Sequence, residues 1–136
     1  MQFSEIAQDE WEDLKPYLDT CLLPVTGLNG KESPYEATEQ LERLRDLLDS
    51  IERPYHGRTV TYPAYHFTCN MAKAEDEILH IAANLKSSGF RYVIVVTLLE
   101  MMKDRLAGTD RSSIDLIITP SEVQQIDEHI LSIWHS

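Results

Sequence analysis

Basic residues are scarce in this chain of 136 residues: 12 lysines and arginines stand against 23 acids, for a formal net charge of −11. A field of that sign repels phosphate backbones, which argues against nucleic acid as a partner. The deficit is local, because residues 1–52 hold 13 acids and four bases (net −9), whereas residues 53–136 hold ten acids and eight bases (net −2). The acidic third reads as a solvated helix face, with docking of a basic partner as the alternative. Cysteine is rare as well. Cys21 and Cys69 are too few for a disulfide framework or a zinc site and read as small free thiols. No run reaches the roughly 18 apolar residues of a membrane span. The start Gln2-Phe3-Ser4-Glu5 lacks the basic end and apolar stretch of a secretory signal. A cytoplasmic chain without membrane insertion is therefore expected. Fixed-period repeats and low-complexity tracts are missing, which argues against a solenoid or a disordered chain.

What is present is a core. Hydrophobic residues make up 43% of the chain, enough for one α/β domain over residues 1–136. Four strand candidates alternate with helical patterns. Ser4 to Tyr17 reads as a short amphipathic helix around Ile6, Trp11 and Leu14, and Thr20–Val25 as the first strand. Ser33, Pro34 and Glu36 form a capping box with proline at the first helical position, opening a helix with Leu41, Leu44, Leu48 and Ile51 on one face, up to the Arg53-Pro54 break. Thr59–Tyr62 is the second strand and Ala64–Asn70 a polar loop, followed by a helix with Ile78, Ile81, Ala82 and Leu85 as its stripe. Gly89 stops that helix, and the β-branched and aromatic run up to Thr97 reads as a central parallel strand, apolar on both faces. Leu98–Leu106 suggests a short helix, Gly108-Thr109-Asp110 a turn and Ile114–Ile118 a fourth strand. Ser121 with Gln124 suggests a second capping box before a helix that buries Val123, Ile126, Ile130 and Ile133 beside Trp134. Strands separated by helices imply right-handed crossovers, hence a mainly parallel sheet in a three-layer sandwich.

In such sheets ligands bind outside the carboxyl ends of the strands, which here means the loops Thr26–Lys31, Ala64–Asn70, Leu98–Met102 and Thr119–Ser121. The first follows a strand and leads to a helix amino terminus, as a phosphate loop does. Its spacing is wrong, since a P-loop needs glycine five residues before the Gly-Lys pair and a hydroxyl after it, where Val25 and Glu32 stand. His66, Cys69 and Asn70 could act as base, nucleophile and orienter of a thiol hydrolase, while Glu100 is a lone carboxylate without a partner for paired acid and base chemistry. The plainer reading is a loop histidine on backbone and a packed thiol. His56, His66, His80, His129 and His135 form no H-x-H or H-E-x-x-H pair, so no metal and no cofactor is expected. Met101 and Met102, beside Leu98, Leu99 and Leu106, read most plainly as core packing; on a short edge helix the two methionines are too many to bury on one face, which suggests a protein contact or a homodimer as the alternative.

Two resemblances follow from these residues. Tyr17-Leu18-Asp19-Thr20-Cys21-Leu22-Leu23-Pro24, Gly57-Arg58-Thr59-Val60-Thr61-Tyr62-Pro63-Ala64 and Gly89-Phe90-Arg91-Tyr92 resemble the YpiF-like family of Bacillus-type bacteria, a family of unknown function. Its members are often encoded beside menaquinol:cytochrome c reductase subunits, which implies a cytosolic setting and a respiratory-chain connection but no reaction. More distantly, Leu22-Leu23-Pro24-Val25 and Gly89–Val96 resemble two strands of creatininase-type amidohydrolases. That likeness implies the strand order 2-1-3-4. Those enzymes place metal-binding residues after both strands, and the matching places here read Thr26-Gly27-Leu28-Asn29 and Leu98-Leu99-Glu100, so no ligand carries over. The expectation is a non-catalytic domain working through binding or assembly; the competing one is a metal-free hydrolase or small-molecule binder using His66, Cys69, Asn70 and Glu100.

Overall fold

The computed structural model describes residues 8–66, 68–107 and 113–135. In chain order these form α1 (Gln8–Leu14), β1 (Thr20–Val25), α2 (Pro34–Glu52), β2 (Thr59–Thr61), α3 (Met71–Ser87), β3 (Tyr92–Thr97), α4 (Glu100–Ala107), β4 (Leu116–Ile118), a 3-10 turn (Pro120–Gln125) and α5 (Ile126–Trp134). The strands make one all-parallel sheet, as their alternation with helices suggests, in the order β2-β1-β3-β4. The expected turn at Gly108-Thr109-Asp110 and the start of the first helix, Ser4 to Ala7, lie outside the described residues.

Topology fixes which helix covers which face. The chain leaves β1 toward β2 on one side, then passes back over β1 to reach β3 and goes on to β4. Right-handed crossovers in opposite directions must run over opposite faces. Accordingly Leu44, Leu47 and Ile51 of α2 pack with Leu22, Ile94, Val96 and Ile118, joined by Ile126 and Ile130 of α5. Ala74, Ile78 and Leu85 of α3, with Met102 and Leu106 of α4, cover Cys21, Leu23, Val25, Val93 and Val95 on the other face. Every residue of β1 and β3 is buried, which is why neither strand alternates in polarity.

Local signals behave as their chemistry requires at most boundaries. Ser33 and Glu36 exchange both capping-box hydrogen bonds, at 3.2 and 3.1 Å. Asn70 caps α3 by accepting from the Lys73 amide at 3.1 Å. Gly89 has φ of +123°, a backbone conformation open to glycine, and lets the Phe90 amide turn back to the Leu85 carbonyl.

Three expected details differ. Leu47, not Leu41, completes the buried stripe of α2, and Leu41 is exposed. Met102 is fully buried in the core while Met101 is half-exposed, so α4 does bury one of its two methionines. Ser121 caps nothing, because the segment enters as a 3-10 turn with Thr119 at its N-cap, and Val123 is left 46% exposed. At three residues per turn, Val123 lines up with Pro120 rather than with the core stripe of α5.

Candidate functional site

The direction of the chain reverses between β1 and β3, so the ligand crevice of this sheet belongs between the loops that leave those two strands. The two loops do meet there. A Cβ placed on Gly27 would stand 2.9 Å from Leu99 Cδ2 and 3.4 Å from Gln40 Oε1. Leu99 is aimed by the Thr97 hydroxyl, which accepts the Leu99 amide at 3.1 Å. The crevice is thus filled by a leucine lying on a glycine, with no room between them for a ligand atom.

Several polar groups of this end bind one another. The Glu32 carboxylate accepts the amides of Asn29 (2.9 Å) and Gly30 (3.0 Å), and Asn29 Oδ1 accepts the Lys31 amide. This is an anion nest of the kind that would hold a phosphate, and it holds the chain's own carboxylate. Hydrogen bonding from the Asn29 amide leads the causes that keep the Glu32 carboxyl below the usual range. Thr26 donates its amide to the Tyr65 carbonyl at 2.9 Å, and the Tyr65 amide returns to Pro24 at 2.8 Å. Thr68 bonds Leu28 in the same way, stitching the loop after β2 to the loop after β1.

His66, Cys69 and Asn70 all lie on that stitched loop and all are exposed. Asn70 is engaged as the cap of α3, and Cys69 immediately precedes it. Beside them the Tyr65 hydroxyl donates to Glu77 at 2.5 Å, and that bond, with burial, pushes the phenol up to about 12. Glu100 stands elsewhere, in the first turn of α4, where it accepts the Ser121 amide (3.1 Å) and hydroxyl (2.8 Å). Hydrogen bonding from Thr119 and then Ser121 holds its carboxyl below the usual range. Two strand spacings, about 10 Å, separate the β2 and β3 loop systems. The structure therefore brings His66, Cys69 and Asn70 onto one loop and leaves Glu100 tying β4 to α4.

Among the described residues, no three of His, Cys, Asp and Glu gather closely enough to hold a metal ion. None of their helices is long and apolar enough to cross a membrane. Glu122, nearly buried in the 3-10 turn, meets the Lys103 ammonium of α4 through Oε1, an oxygen that no well-aligned hydrogen bond reaches.

The opposite end of the sheet carries a second polar cluster. Arg58 grips Asp19 with two hydrogen bonds, Nε to Oδ1 at 2.9 Å and Nη2 to Oδ2 at 3.1 Å. Its guanidinium lies 4.0 Å from the centre of the Trp134 ring, whose Nε1 donates to Thr20 Oγ1 at 2.9 Å. Tyr55 stacks edge-on against Trp134 and donates to Asp127 at 2.7 Å. A signal for this lock existed: Asp19 and Arg58 each precede the first residue of a strand, and Thr20 pairs with Thr59, so opposite charges fall side by side.

A model of the family described as "Protein of unknown function (DUF2487)" matches residues 9–130. The chain belongs to that family. No curated protein and no solved structure matches it. The span that defines DUF2487 here takes in all four strands and both stitched loops and stops short of Trp134.

Proposed function

We propose that this DUF2487 chain is a non-catalytic cytoplasmic domain that acts by binding a protein partner or by assembly. The observation that carries the reading is Leu99 lying on Gly27 where a doubly wound sheet would hold its ligand. Around it, Glu32, Thr97, Glu100 and Asn70 are each engaged by backbone amides or by Ser121. Function then rests with the outer surface, where Tyr35, Met101 and Val123 expose apolar side chains on helices and turns that begin at this end of the sheet. The YpiF-like resemblance makes a respiratory-chain component the setting in which to look for the partner.

The test is a substrate panel of chromogenic esters, amides and phosphoesters at high protein concentration. Rates equal to buffer support the reading. A turnover abolished by His66→Ala or Cys69→Ala would overturn it in favour of a hydrolase on the β2 loop.

A further inference from the structure

We propose that the groove between α2 and the carboxyl end of β2 binds a small amphipathic carboxylate, with its apolar body in the groove and its charge on Arg45. This site goes beyond the protein-binding reading and does not depend on it. The groove has a volume of about 230 Å³, with Leu41, Leu44 and Leu48 of α2 as one wall and Pro24, Thr61 and Ala64 as the other. At roughly 30 Å³ for a group the size of a water, it has room for about seven such groups. Arg45 is its one charged lining residue.

The groove exists because α2 stops short of the edge of the sheet. Leu44, Leu47 and Ile51 pack into a hydrophobic cluster drawn from β1, β3 and β4, to which β2 gives no residue. Thr61 pairs with Leu22, and Pro24, two residues further along β1, lies on the same face, so both turn toward α2 at the uncovered edge. Leu41 and Leu48 flank Arg45 at four and three residues and overhang that edge, Leu41 with 42% of its surface exposed. Arg45 selects the occupant. Among the described residues no carboxylate pairs with it, although Glu42 and Asp49 stand three and four residues away, within helical reach. Asp49 faces Arg53 at 3.9 Å instead, and Glu52 accepts the Thr61 hydroxyl at 3.1 Å. The guanidinium is left to fork onto a carboxylate with donors that no group of the chain uses. Apolar walls around a single fixed charge suit a small ligand that is mostly carbon with one anionic end. An anion without an apolar body gains little there, because the chain's net charge of −11 opposes its approach.

The probe is octanoate, titrated into the isotope-labelled full chain and followed by amide chemical shifts. The shifts should saturate and centre on residues 41–48 and 61–64. Acetate, with the charge but no body, and octylammonium, with the body but the wrong charge, should give no saturable shift. Octanol, with the body alone, should bind about tenfold more weakly than octanoate, the loss expected for one charge-assisted contact. Arg45→Gln should weaken octanoate about tenfold and leave octanol unchanged, a split that a general loss of structure would not produce. Leu41→Glu should abolish binding of octanoate and octanol alike. Both positions are exposed, and Leu41→Gln is the milder block should the glutamate lower the melting temperature.

No saturable shift with octanoate, or shifts centred on other residues, overturns the site. Equal octanoate affinity in wild type and Arg45→Gln, or octylammonium binding as tightly as octanoate, overturns the role of Arg45 and the anionic ligand with it. Shifts at the same residues that depend on protein concentration without any ligand would give the groove to a second copy of the chain and overturn the assignment. Failure of the protein-binding reading would show separately, as hydrolysis in the substrate panel.

Discussion

Replacing Arg58 tests how the last helix is held to the sheet. The side chain forks onto Asp19 with bonds of 2.9 and 3.1 Å, and both partners are partly buried, at 37% and 23% side-chain exposure. A forked pair in that setting is stronger than a surface ion pair yet discounted by solvent, about 1 kcal/mol. The guanidinium also covers Trp134 at 4.0 Å, contributing about another 1 kcal/mol. Arg58→Ala should then cost about 2 kcal/mol, or roughly 6–8 °C in melting temperature for a chain of this length. Arg58→Lys keeps the charge but loses the fork and the flat stack, so about half of that loss is expected. Thermal unfolding by circular dichroism gives the numbers, and Trp134 emission should shift to the red in the alanine variant as its covered face meets water. A double-mutant cycle with Asp19→Ala should show coupling of about 1 kcal/mol. If Arg58→Ala melts within a degree of wild type, or couples to neither Asp19 nor Trp134, the side chain is solvated and the lock is not real.

Three further outcomes follow from other contacts. Lys103→Met strips the charge partner from the nearly buried Glu122; because the lysine itself is half-exposed, the loss should be about 2 kcal/mol, and adding Glu122→Gln should recover most of it by chemical denaturation. Tyr55 and Tyr65 both have phenols raised from 10.0 to about 12, the first chiefly by burial and the second chiefly by its bond to Glu77. A raised folded-state value means stability that is intact below pH 10 and lost as pH climbs toward 12, so the fall in stability across that window should be shallower in Tyr55→Phe and in Tyr65→Phe than in wild type. Unchanged alkaline limbs in both variants would refute the assignment. A thiol reagent should label Cys69 alone in the native chain and Cys21 only after denaturation, since Cys21 is buried and its thiol is pushed up by that burial; rapid labelling of both thiols would contradict the packing of β1.

Much of the frame was written in local signals. The β1 and β3 runs are apolar on both faces because two helical layers cover them, and such a run has few other uses. The Ser33 capping box and the Gly89 stop concern atoms within a few residues of each other, so sequence reveals them directly. The misreadings came where two periods compete. Ser121 and Gln124 carry a capping-box pattern, but Pro120 begins a tighter 3-10 turn, and Glu100 from another element takes the serine. The tighter turn leaves Val123 46% exposed, outside the expected core.

The candidate site was less legible, and the reason is physical. A carboxylate, a hydroxyl or an amide becomes functional according to what it faces, and facing is mostly non-local. Glu32 looks like a failed position in a phosphate loop, yet it is the anion that loop binds. Glu100 looks like a lone acid in an active-site position, yet it is the acceptor that joins α4 to the turn after β4. Both carboxyls are held below their usual range by hydrogen-bond donors, so each is kept charged by the groups it stabilises. Leucine at position 99 gave the one warning that sequence could carry, because a carbon side chain at the carboxyl end of a central strand has no proton to move and no lone pair to offer. Gly27 explains what it does instead: with no side chain on that residue, Leu99 closes the crevice by contact, and a Cβ added there would stand 2.9 Å from Leu99 Cδ2 and oblige that side chain to shift.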